Sequence, residues 1–416
     1  MATTTWGTLT REDTDSLRKT RGLGLGAAVR QFNDLAVPGL GGLWFAKPIM
    51  WSLLGIHIGN ETGNRPALVA NAIETLACWH ALQSEGEERS NRIGGRRKLG
   101  GIGASFVSYK TASKREFYVT VPMRQGMVQP LRELGLVVDG VQRFNAYTLT
   151  EAGEALLAAA CEGFSPGRRD VVRALTMWVR GAKEDPHIAS SLMRDAISPT
   201  TPLRAGAASL LRERLLSGRG QARRRAVRGW VRGLKPSATP HGWTERPAEI
   251  DEDHWADLRE GARFFLMRDA AIHVLDGVEA AVGSSASVGL AAADAAKAVT
   301  SPIAALRSSA VLFASAERDP TGLAAPFAKK CMHADDAEVV RSLVELDGRG
   351  LRLVGATVRP GSAFGTGPRG GADVETGPTT IEEPEVATLP LPPGISARVR
   401  NMRSLDADID HAIGEA

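Results

Sequence analysis

The chain has 416 residues, 43% hydrophobic and 24% charged, an ordinary globular composition with room for two or three domains. Its formal net charge is +4, and only ten of its 51 basic residues are Lys, so the charge balance alone names no polyanionic partner. Cys78, Cys161 and Cys331 are widely spaced and form no Cys-x-x-Cys pair, which argues against a disulfide framework or a cysteine zinc site and points to a reducing compartment, the cytoplasm.

The first residues, MATTTWGTLTREDTDSL, are polar and acidic where a secretory signal is basic and then apolar, so no export is expected. Residues 1–64 read as a Gly-rich packing segment. Its most apolar run, Leu40 to Ile58, is broken by Lys47 and Pro48 and predicts buried core rather than a membrane span. Within it, Gly22, Gly24 and Ala27 fit a loose G-x-G-x-x-A pattern. No strand-like text precedes them, however, and LWFAKP stands where the ribose-binding acid belongs, so a packing turn and no cofactor are expected.

From Arg65 to Gln83, Leu68, Ile73, Leu76, Trp79 and Leu82 give helical periodicity. A polar, Gly-broken loop follows, then FVSY and REFYVTV, which read as short strands. Val121 to Val137 predicts a helix entered at Pro122 and closed near Gly135, with Pro130 as a defect inside it. Asp139-Gly140 lies between two apolar runs and predicts a tight hairpin turn, and Thr150 predicts an N-cap for the next helix.

Residues 163–235 read as a basic helical region, 236–250 as a Pro-rich linker and 251–354 as a second helical domain. Residues 355–416 are poor in core formers and predict a disordered tail, with ISARVRNMRSLDADIDHAIGEA as a terminal helix docking on this protein or a partner. The expected class is therefore mainly α with one β-hairpin.

Helix, hairpin and capped helix are the order of a winged helix-turn-helix domain. Leu134-Gly135-Leu136 followed by Leu149-Thr150-Glu151-Ala152-Gly153 resembles the winged-helix superfamily, especially its MarR-type regulators, over residues 65–162. The resemblance implies a recognition helix whose polar face reaches base edges. By position, those residues are Arg124, Gln125, Gln129 and Arg132, with Gln142 and Arg143 on the wing.

Arg96, Arg97, Lys98, Lys114 and Arg115 are candidates for phosphate contact. So is the run from Leu211 to Lys235, where Arg223, Arg224, Arg225, Arg228 and Arg232 sit on a helix whose other face is Val227, Trp230, Val231 and Leu234. Solvated Arg faces are the competing reading, because Arg stems also cover apolar surface.

Asp251, Asp253 and His254 read as the polar first turn of a helix rather than a metal site, and His57 and His80 as core histidines. The spacing of a phosphate loop, H-E-x-x-H or G-x-S-x-G is absent, so no enzyme is expected. Two readings stand: a DNA-binding regulator or DNA-handling subunit, and a non-catalytic adaptor whose winged helix docks proteins. Neither specifies the oligomeric state.

Overall fold

A computed structural model describes residues 21–83, 90–102, 108–114, 117–138, 143–181, 186–237, 239–285, 288–315, 318–365 and 389–415. In chain order the helices are α1 (Gly26–Ala36), α2 (Lys47–Thr62), α3 (Pro66–Leu82), the single-turn α4 (Arg96–Leu99) and α5 (Tyr109–Ala112), and α6 (Arg124–Glu133). Next come α7 (Glu151–Cys161), α8 (Val171–Val179), α9 (Ser191–Ile197), α10 (Ala205–Leu215), α11 (Gln221–Gly233) and the long α12 (Glu252–Ser284). Strand β1 (Leu290–Ala291), helices α13 (Ala292–Ala298), α14 (Thr300–Ala314), α15 (Ala324–Cys331) and α16 (Asp336–Asp347), strands β2 (Leu351–Val354) and β3 (Thr357–Pro360), and helix α17 (Ala397–Ile413) complete the set.

The described residues group into two compact units, one drawn from 1–32 and 259–374 and one from 33–258 and 375–416. In the first, Phe32, Phe264, Phe265 and Phe313 form an aromatic core, with Phe32 stacked on Phe264 at 4.8 Å between centroids. Buried Arg21 donates to Asp347 at 2.9 Å and to Asp276 at 3.0 Å, so its charge is met on both sides. A three-stranded antiparallel sheet of order β1-β3-β2 completes this unit, and Leu351 and Val358 are its buried members.

The second unit is built around α2 and α3, and most residues of both are buried. Pro48 and Pro66 sit in their first turns, where a missing N–H costs nothing. Gly55 and Gly59 face Ala70 and Pro66 so closely that a side chain on either would meet the α3 backbone. The apolar text from Leu40 to Ile58 is thus core, as its breaks predicted, and no helix among the described residues is long and apolar enough to cross a membrane.

Several expectations need correction. Residues 357–360 form a paired strand and Leu389 and Leu391 pack into the second unit, where disorder was expected. The expected terminal helix forms as α17 and docks on this protein through Val399, Met402, Leu405 and Ile409, with Ile395 just ahead of it. The expected tail is therefore ordered on both sides of residues 366–388, which lie outside the described residues. The 236–250 segment is no free linker: His241 N–H donates to the Pro390 carbonyl at 3.0 Å and the Trp243 indole to that of Pro393 at 3.1 Å. Phe117–Val121 makes bends rather than a strand, and Phe106 and Val107 lie outside the described residues.

Candidate nucleic-acid interface

In the α6 region the described residues run from a helix through one isolated bridge to a capped helix. Helix α6 tolerates Pro130 because the carbonyl this proline cannot serve, that of Gly126, accepts from Gly42 N–H at 3.2 Å instead. Gly135, at a φ of 65°, turns the chain out of α6. An antiparallel bridge joins Val137 to Leu149, and Thr150 caps α7 by accepting from Gly153 N–H at 3.2 Å. Between them Phe144–Ala146 is a 3-10 turn, which shortens the expected second strand. Asp139, Gly140 and Gln142 lie outside the described residues.

The polar side chains of α6 are largely committed within the fold. The Gln129 amide donates to Asp34 at 2.7 Å and accepts from Arg398 at 2.8 Å. Arg124 donates to Asn71 at 2.8 Å and lies over the Phe144 ring, 5.0 Å from its centroid. Arg132 pairs with its neighbour Glu133 at 3.3 Å. Gln125 is half-buried, and among the described base-edge candidates only Arg143 is exposed. Base-edge recognition needs side chains free to reach outward, and Gln129 and Arg124 are held elsewhere.

Beneath the start of α6 lies Glu74, a buried carboxylate on α3 that accepts from the N–H groups of Met123, at 2.8 Å, and Arg124. Removal from water raises its carboxyl to about 7, against the pull of those donors. The nearby Cys78 thiol is pushed far up by the same burial and by the Glu74 charge.

The basic run of α10 and α11 is also answered from within the chain. Arg224 is 0% exposed, and its guanidinium donates to the carbonyls of Leu215, Ser217, Arg219 and Pro38 at 2.5–3.1 Å. It holds the α10–α11 turn and, being buried, presents none of its nitrogens to a phosphate, which corrects its place among the phosphate candidates. Arg223 donates to the Leu35 carbonyl at 2.7 Å and pairs with Asp257 at 2.7 Å.

Arg228 pairs with Asp406, while Arg232 pairs with Asp406 at 3.3 Å and Asp410 at 2.8 Å. Arg212 meets Asp410 and, at 2.8 Å, Glu415. Of the five run candidates Arg225 and Arg232 are exposed, Arg232 held by its two carboxylates and Arg225 with its Nε donating to the Leu216 carbonyl at 2.8 Å. The acidic partners were missed because they lie far along the chain, although the spacing of Asp406 and Asp410 on one helix face was the available signal.

What remains outward is the segment around α3. Helices α4 and α5 pack on α3, and Asn145, two residues after Arg143, accepts from Ala67 N–H at its first turn. Arg96, Arg97, Lys98, Lys110 and Lys114 are exposed there; Arg115 lies outside the described residues. From Ser90 to Arg132 the sequence holds nine basic residues against one acid, Glu116.

The Asp251, Asp253 and His254 group disperses. Asp251 caps α12 through His254 N–H at 2.7 Å, Asp253 pairs with Arg223, and the His254 ring meets the Ala36 carbonyl. His80 is a core histidine on the Ile188 carbonyl at 2.8 Å, and burial lowers it to about 4; His57 is half-buried. Comparison with protein-family models, curated proteins and solved structures gave no match, so the geometry of this interface stands on its own.

Proposed function

We propose that this chain is a non-enzymatic DNA-binding protein that holds duplex DNA by its phosphate backbone through the segment around α4 and α5. The carrying observation is the exposed set Arg96, Arg97, Lys98, Lys110 and Lys114 within a stretch whose single acid is Glu116. Lys and Arg at a surface exchange condensed counterions for phosphate contacts, which requires positive charge without bidentate geometry or a free recognition helix. The commitments of Gln129 and Arg124 favour sequence-indifferent binding.

The test is fluorescence anisotropy of a labelled duplex across a salt series. About five phosphate contacts give a log–log salt slope near −4.5, and R96A/R97A/K98A flattens it by about 3 while two unrelated duplexes bind alike. A slope of zero, or a triple variant indistinguishable from the parent, sinks the reading. The adaptor function then takes its place, with the uncharged outer face of α14 as its surface, where Val311 and Leu312 are 57% and 55% exposed.

A further inference from the structure

Residues 389–415 form an arm with two kinds of recognition built in. Its leading residues, Leu389-Pro390-Leu391-Pro392-Pro393, lie against His241 and Trp243, whose N–H groups donate to the Pro390 and Pro393 carbonyls. Trp243 in turn packs on Trp255, 4.9 Å between centroids. Its helix, α17, then inserts Val399, Met402, Leu405 and Ile409 while Asp406, Asp408 and Asp410 meet a cationic seam. That seam is Arg212, Arg228 and Arg232, with Arg92 reaching Asp408 at 2.5 Å.

Asp406 is only 1% exposed. A buried ionic seam adds little net stability over an apolar one, because desolvation offsets the attraction, but it penalises any mismatched occupant heavily. Such a surface selects the helix that enters it. The groove's fit is to a Pro-led, acidic amphipathic helix, and the segment of that chemistry at hand is the chain's own.

We infer that this groove is an interchain receptor, and that its second occupant is the Leu389–Glu415 arm of another copy. The last described residue before the arm, Gly365, is grouped with the other unit, and 23 residues separate it from Leu389. Such a length spans at most about 80 Å when fully extended, enough to reach a neighbouring copy. Exchange leaves every arm contact unchanged, so the choice between own and foreign groove is set by effective concentration, of millimolar order for a tethered segment. The dilute wild-type chain keeps its own arm; crossing grows with concentration. This inference is independent of the DNA reading.

Charge reversal on separate chains tests it. One full-length variant carries R212D/R228D/R232D, the other D406R/D410R, so each alone sets like charges across its seam. Co-refolded at equal amounts, each arm finds its complement on the other chain. Light scattering is expected to show a heterodimer of twice the monomer mass, and the melting temperature to return to that of one chain carrying all five substitutions.

A five-fold variant that folds normally beside a mixture that stays as two destabilised monomers overturns the inference. If the five-fold variant does not fold, wild-type chains labelled on the arm with donor or acceptor are co-refolded near millimolar concentration. Energy transfer with a dimer supports exchange, and a monomer without transfer overturns it. Release of the labelled wild-type arm by duplex DNA assigns the groove to nucleic acid and overturns it as well.

Discussion

A guanidinium carries five N–H donors in a planar fork, and Arg224 directs four of them to backbone carbonyls from two separate segments of chain. Arg224→Met leaves those acceptors unserved and is expected to cost at least about 3 kcal/mol in urea unfolding. Arg224→Lys recovers little, because an ammonium cannot span the fork; a variant within about 0.5 kcal/mol of the parent contradicts this account. Glu74 makes a pH-dependent contribution. Its carboxyl holds a proton to about pH 7 when folded and releases it near 4.5 when unfolded. The folded state therefore binds more protons between those values, and stability falls as pH rises through that window, by up to about 1.4 kcal/mol per unit, then levels off. Glu74→Gln should remove that slope, which denaturation at stepped pH will show. Nothing in the text around Glu74 announced this, since one Glu amid helical apolar residues looks the same whether it faces solvent or a neighbour's first turn.

Helices α2 and α3 owe their close approach to Gly55, whose added Cβ would lie 2.6 Å from the Ala70 Cα. Alanine normally favours a helix over glycine by about 1 kcal/mol, but a backbone neighbour cannot step aside. Gly55→Ala should thus destabilise by about 1–3 kcal/mol, and a raised melting temperature would show that the helices can part. At this scale local chemistry was readable: Thr150 capped where its side chain allowed, and α3 followed its periodicity. The β2–β3 hairpin was readable too. Gly355-Ala356 separates two short alternating runs, with Leu351 and Val358 buried. It was lost to the Gly- and Pro-rich composition that begins immediately after it. Pro130 posed a problem in the sequence that resolves in the fold, because Gly42, 88 residues earlier by numbering, supplies the missing donor.

Over the whole molecule, the misleading signal was electrostatic. An Arg-dense run has the same sequence whether it meets phosphate or carboxylate, and Asp406 and Asp410 lie 174–198 residues from the arginines they serve. Proximity of that range depends on tertiary packing, which periodicity and capping do not encode. The candidate site was therefore legible as charge but not as commitment: Arg96, Arg97, Lys98, Lys114 and Arg143 remain outward, while Gln129, Arg223, Arg224, Arg228 and Arg232 are engaged internally.

Burial has one more consequence, for the sulfurs. The Cys161 and Cys331 thiols are both pushed up to about 12 by removal from water, and Cys78 is raised further still. A protonated thiol is a poor nucleophile, so the native chain should be nearly silent to Ellman's reagent at pH 8 despite its three free cysteines. Colour would then develop only as each unit opens, Cys331 timing one and Cys78 with Cys161 the other. Unmodified protein thereby carries its own pair of unfolding clocks, and immediate development of three equivalents of colour from the folded chain would stop both.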